Sequence, residues 1–466
     1  MSRAYLPQHD PDPALRQPGL AARREQYVYD PAIVPPFVVY HKLPAAEIFT
    51  AGYFSERLSS SVGVPANFAA VKLANLIDRF DELQDYEDLF KLFDPPAIVR
   101  RWRDDSMFAE QRLAGMDCRV LRRITRLPDN LRLPAADFAA ITGLPLDLAA
   151  AEGRLHLADY DLLDGIEPGE SHGLAKFLHA PLALFCWQDD PGSDDMRRET
   201  PRHGRLVPVA IQLGQRPTAD NLYTPRDGVE WLMARTAVQA SEYALTMMGH
   251  HTGIVHLAME NFAMASNRQL ADNHPLAALL RPHLRYMMSQ DELSRRTFIN
   301  PGGYIDRLLA PSLAGSLELA ARSFKRWNLH QWALPRDLAE RGVDDLQTLP
   351  HYPFRDDGLL VWNATAEYVT SYLDRFYTSD ADIHADLELR AWLDELADPR
   401  RGNLPGLPAW PPARAELAEL VTNILFTNGP HHSSLNYRQW EYATYIPNCP
   451  MALYAPLPAR GSLRDP

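Results

Sequence analysis

The sequence predicts a mainly α-helical protein with a few short strands in its first half. Three observations predict it. From about residue 228 onward, apolar residues recur at three- and four-residue steps almost without a break, the pattern of helices that turn a face to a core. Before that point, strand-like alternation is confined to residues 155–163 (LHLADYDLL), 182–187 and 206–213 (LVPVAIQL). No low-complexity linker divides the 466 residues, which are ample for one large core.

The elements follow in order. Residues 1–44 are expected to form an extended arm, because prolines from Pro7 to Pro36 punctuate it. Residues 45–93 turn helical, and Pro95 and Pro96 end that run. A helix closing at Gly115 comes next, with Arg119, Arg122 and Arg123 as its basic exit. After the strand region, residues 315–342 read as helix up to a break before Pro335. Residues 358–378 read as a helix opened by Asp356 and Asp357, and 381–396 as a charged amphipathic helix. A loop rich in proline and tryptophan (LPGLPAWPP) leads to a last helix over 413–428. The main domain is expected over 45–456, followed by a polar tail at 457–466.

Composition narrows the function classes. The net charge of −13 is spread along the chain, which argues against a nucleic-acid binder. Three scattered cysteines, Cys118, Cys186 and Cys449, form neither a disulfide framework nor a thiolate metal site. The N-terminus lacks the apolar core of a secretory signal, and no stretch approaches the roughly 18 apolar residues of a membrane span. A cytoplasmic protein with no integral membrane segment is the expectation.

The chemistry-bearing residues sit in two clusters. His250, His251 and His256 lie inside an apolar helical pattern, and His431, His432 and Asn436 lie near the end. His251 and His256 are five apart, so on a straight α-helix they diverge by roughly 140°. They share one ion only if the helix carries a π-bulge. His432 and Asn436 are four apart and share a face without distortion. Imidazole nitrogen with an amide oxygen suits iron or manganese better than structural zinc. On spacing alone, a packed or hydrogen-bonded histidine pair is the commoner outcome. Other residues read as structural: His274, His283, Cys449, the core-filling Met247, Met248 and Met264, and Arg268 as the partner of an acid such as Glu260.

Longer motifs now add to this. The stretch from Trp231 to Ile305 carries HLAMENF, RQL, HPL, LLRPH and LSRR…INPGG in that order. Upstream stands FAEQRLAGMDCRVLRR, and downstream ALPRDLAERGV, DDGLLVW and HSSLNYRQWEYATYIPNCP. In these motifs the chain resembles the lipoxygenase family, over about residues 45 to 456. Asp117 and Cys118 stand where the family has Asn-Pro. The resemblance implies a helical catalytic domain built around a long central helix. It also implies a non-haem iron centre, with manganese as the other metal. The substrates would be dioxygen and an apolar small molecule such as a polyunsaturated fatty acid, oxygenated after hydrogen abstraction.

Carried over residue by residue, the resemblance puts ligands at His432 and Asn436, with Gln439 hydrogen-bonding beside them. It puts the second ligand of the long helix at His251 and the first at Thr246, a poor substitute for imidazole. His256 falls on a histidine beside the ligands, and His250 is an additional one. A register shifted by one turn would instead make His251 and His256 the pair. The expected metal set is therefore His251, His256, His432 and Asn436, with His250 as a further candidate and Thr246 and Gln439 around it. The family's terminal carboxylate ligand has no counterpart before Pro466, so a second subunit supplying the missing helices is one expectation. Threonine at a ligand position also keeps an alternative: a degenerate relative with altered chemistry, or one that binds an apolar ligand or partner without catalysis.

Overall fold

The computed structural model describes residues 4–76, 80–190, 203–218, 220–458 and 460–463. Its spine is one long helical run. Thr224 and Asp227 form a capping box that starts it. The run is α-helical over Gly228–Ala244, π-helical over Leu245–Ala258, and α-helical again over Glu260–Gln269. Nearly every residue from Ala234 to Gln269 is buried, as an element apolar or small on all faces requires.

The helix Leu313–Arg326 lies directly along the π-helical stretch, and two glycines permit the approach. A Cβ on Gly249 would stand 2.6 Å from Ser323 Oγ, and one on Gly253 3.3 Å from the Ala320 carbonyl oxygen. A second broken helix approaches from another side. It is α-helical over Arg414–Phe426, π-helical over Thr427–His431, and α-helical over His432–Ala443. Pro430 lies inside that π segment, where its missing N–H loosens the ladder.

The strand region forms one antiparallel sheet of five strands, ordered Leu121–Arg123, Leu155–Asp159, Leu182–Asp189, Gly204–Gln212 and Leu222–Tyr223. The three longest were expected. The two short edge strands carry too few residues to show alternation. Between sheet and spine lies a buried polar knot: Arg112 Nη2 is 3.0 Å from Glu242 Oε1, and the Tyr160 hydroxyl donates to Glu242 Oε2 at 2.5 Å. Burial raises the Glu242 carboxyl to about 7 against the opposing charge of Arg112.

Several expectations are corrected. The first 44 residues are not an extended arm. They hold the helix Arg16–Gln26 and the hairpin Tyr29–Val34/Phe37–Tyr40, whose second strand is fully buried. Pro18 falls in the first turn of that helix, where proline's missing N–H costs nothing. Arg16 anchors the segment through paired bonds of 2.7 and 2.8 Å to Glu388. Arg268 pairs with Glu395 at 2.8 Å rather than Glu260, which faces Arg295 at 3.3 Å. Asp356 and Asp357 do not cap a helix but lie inside Pro353–Leu373, whose first position is a proline. Asp386 splits the 381–396 segment into Asp380–Ala385 and Leu387–Ala397 by capping the second piece. Part of the 457–466 tail lies outside the described residues.

Candidate metal centre

Three imidazoles meet where the two π-containing helices cross. His251 Nε2 lies 3.2 Å from His256 Nε2 and 3.1 Å from His432 Nε2. The π-helical stretch brings the first two together: its i→i+5 bonding sets residues five apart near one face. The π segment ending at His431 carries His432 to the same point.

The donors are prepared as bases. Burial, then the neighbouring His256 and His432, hold His251 well below the usual imidazole range. Burial, reinforced by His256, lowers His432 to about 4. His256 Nδ1 lies 2.7 Å from Asp291 Oδ1, and the carboxylate is buried. That contact fixes the N–H on Nδ1 and turns the Nε2 lone pair inward. Burial and the adjacent Asp291 charge push the carboxyl of Glu260, behind it, well above the usual carboxylate range.

Three facing Nε2 atoms cannot satisfy one another, because His251 Nε2 has at most one proton to give to two neighbours. A cation resolves the conflict. Adjacent positions on an octahedral ion with bonds of about 2.1 Å lie about 3 Å apart, close to the two spacings made by His251, and all three donors lie within 4.8 Å of one another. The residues therefore fit a metal. Among the described residues these three make the one convergent cluster of histidine, cysteine and carboxylate donors.

The other candidates fall at different places. Asn436 lies one turn beyond His432 on the wall of the same cavity, exposed, with Oδ1 3.5 Å from Gln439 Nε2. Gln439 also donates to the Leu435 carbonyl at 3.3 Å. His250 points away from the trio to Asp117, at 2.5 Å. Thr246 is fully buried on that same side, its hydroxyl 3.5 Å from Asp117. Thr246 thus faces Asp117 rather than the trio, and the shifted register that pairs His251 with His256 is the one that converges. Asp291 was missed in the sequence. Its signal was present: it stands three residues after Met288, a carboxylate on the apolar face of the helix Met287–Thr297.

A cavity of about 670 Å³ opens onto the trio, lined by apolar groups including Val255, Leu257, Phe298, Ile299 and Ile305. Tyr53 and Arg57 of the helix Ala51–Ser61 wall it on another side, with Arg285 and Tyr286.

A helical domain crossed by two π-containing helices, with three histidines at the crossing, defines a class of non-haem metalloprotein. A family model described as Lipoxygenase matches residues 200–464, and the chain belongs to the lipoxygenase family. Membership implies a non-haem metal, iron or manganese. The chain is 32% identical over 413 residues to the polyunsaturated fatty acid lipoxygenase ALOX15B of Rattus norvegicus, covering 86% of this chain and 58% of the relative. It is 34% identical over 416 residues to the linoleate 9/13-lipoxygenase of Pseudomonas aeruginosa, covering 86% and 58%. The chain thus spans 58% of the length of these relatives. A solved lipoxygenase variant (Delta413-417:GS LOX) in complex with arachidonate superposes with a TM-score of 0.90 at 27% identity, over 100% of this chain and 70% of that one.

Proposed function

We propose that this chain is the metal-binding core of a lipoxygenase that converts a polyunsaturated fatty acid and dioxygen to a fatty-acid hydroperoxide. His251, His256 and His432 would hold the metal, with the Asn436 amide as a further donor. Iron is favoured over manganese by neutral nitrogen donors that leave positions open. When bound, the metal supplies the one-electron redox chemistry that hydrogen abstraction from a doubly allylic methylene needs.

The chain's own residues do the rest. Asp291 orients His256 through Nδ1. The apolar lining around Val255, Phe298 and Ile305 excludes water from a carbon radical and favours a hydrocarbon chain. Arg57 and Arg285 are the guanidinium groups on the same lining, suited to a carboxylate end. The observation that carries the reading is the convergence of three imidazoles on the wall of a cavity of mixed lining that has an apolar side around Val255, Phe298 and Ile305. The relatives named for polyunsaturated fatty acids, and the related structure holding arachidonate, support the substrate class.

The test is conjugated-diene formation and oxygen uptake with linoleate and arachidonate, using iron-loaded protein and its His432→Ala variant. Turnover by the wild type that falls at least a hundredfold in the variant is expected. Stoichiometric iron without oxygen uptake on either lipid would overturn the substrate assignment.

A further inference from the structure

Each of the two broken helices carries a pair of adjacent histidines, His250–His251 on the first and His431–His432 on the second. The second ring of each pair turns to the trio. The first ring of each turns elsewhere, and neither lines the cavity. Both of these rings meet the same side chain. Trp332 ends the short helix Leu329–Trp332 and lies edge-on to His250 and to His431, with ring centroids 5.5 Å apart in each contact.

Trp332 is itself held in place. The Arg119 guanidinium stacks on its ring at 4.0 Å and donates from Nη1 to its carbonyl at 3.1 Å. Asp337 faces that guanidinium at 3.2 Å. Asn423, on the helix that leads into the second π segment, donates to the Leu329 carbonyl at 2.7 Å. His431 makes no hydrogen bond through its ring: both nitrogens are buried and without a partner among the described residues. Packing against Trp332 and Phe354, at 5.5 and 6.1 Å between ring centroids, is what seats it. Asp117 hydrogen-bonds to the first π segment, through His250 and Thr246, whereas Trp332 touches both segments.

Adjacent side chains on a helix point roughly 100° apart about its axis. Fixing the direction of one therefore fixes the rotation of the segment and the aim of its neighbour. We infer that Trp332 is a positioning residue: by seating His250 and His431 together it sets the rotation of both π segments, and with it the facing of His251 and His432. Trp332 does not line the cavity, so it acts through the histidines beside it. The inference rests on the reading of the trio as a metal site.

The test compares the wild-type protein with Trp332→Leu, Trp332→Phe and Phe138→Leu, the last a fully buried ring in a separate core against the sheet. Hydrogen exchange read by mass spectrometry on chelator-stripped protein reports on the two segments, and chelator competition reports Fe(II) affinity. In Trp332→Leu, residues 245–258 and 427–432 are expected to exchange faster together, measured against residues 228–244 of the same spine. Fe(II) should bind about tenfold more weakly or worse, the effect of an outer residue that orients ligands. Trp332→Phe keeps an aromatic edge and should restore both readings most of the way. Phe138→Leu should lower the unfolding temperature and leave Fe(II) affinity unchanged, which separates positioning from general stability. Should Trp332→Leu not fold, His431→Leu takes its place, with faster exchange expected over 427–432 alone and a similar loss of affinity. Unchanged exchange over a segment that the variant should loosen, or an affinity loss matched by Phe138→Leu, overturns the proposal. Joint loosening in a protein whose wild type binds no Fe(II) would leave the seating role standing and remove the reading it rests on.

Discussion

Of the three clustered histidines, His256 is aimed by a carboxylate, and the consequence is testable. Asp291 holds the His256 ring at 2.7 Å. Asp291→Asn should therefore weaken metal affinity by about 10- to 100-fold, read by chelator competition, with secondary structure retained. Asp117 plays a different part. It replaces the family's asparagine, and His250 is an added histidine; these two departures lie 2.5 Å apart. Burial pushes the Asp117 carboxyl up, but His250 outweighs burial and holds it below the usual range. The pair's stabilisation is then present above the ordinary carboxylate value near 3.8 and is lost as pH falls below it. Asp117→Ala should cost about 3 kcal/mol at neutral pH in denaturant unfolding, the scale of a broken buried pair. It should leave the metal bound.

At the scale of elements, the site depends on two π segments and on the helix packed against the first. Gly249→Val would drive a side chain into Ser323 and Leu245 and push Leu313–Arg326 off the spine. A loss of about 1–3 kcal/mol in stability is expected by thermal unfolding, with weaker metal retention. The helices, the three long strands and the histidine clusters were legible in the sequence, because periodicity marks helices and strands and imidazoles are few. The π register was legible only as a condition: residues 251 and 256 required it, and nothing in the letters of residues 245–258 announced it. Thr246 was placed by carrying the motif over residue by residue, which does not see how the helix is wound. The contact itself is decided by the helix's local winding and by Asp117 drawing Thr246 and His250 to the opposite side. The Arg16–Gln26 helix was hidden because its proline lies in the first turn, where proline and helix do not conflict.

For the whole molecule, burying neutral imidazoles has a pH signature. Burial lowers His251 and His431 well below 6.5, and His156 and His432 to about 4. The unfolded chain binds protons at these sites from 6.5 downward and the folded chain does not, so their contribution to stability falls as pH drops from 6.5 toward 4. Glu242, at about 7, pulls the other way. The histidine share is isolated by His431→Phe, which removes an imidazole with both ring nitrogens buried and unpartnered. In chelator-stripped protein, thermal unfolding at intervals between pH 6.5 and 4 should show a shallower loss for the variant than for the wild type. The central claim concerns which residues bind metal, and elemental analysis tests it most directly. Iron per chain is measured in tag-free wild type, His256→Ala and Thr246→Ala, expressed under iron-replete conditions. The account predicts about one iron per chain in the wild type and in Thr246→Ala, and little in His256→Ala. Metal lost with Thr246 and kept without His256, or absent from all three, would contradict it.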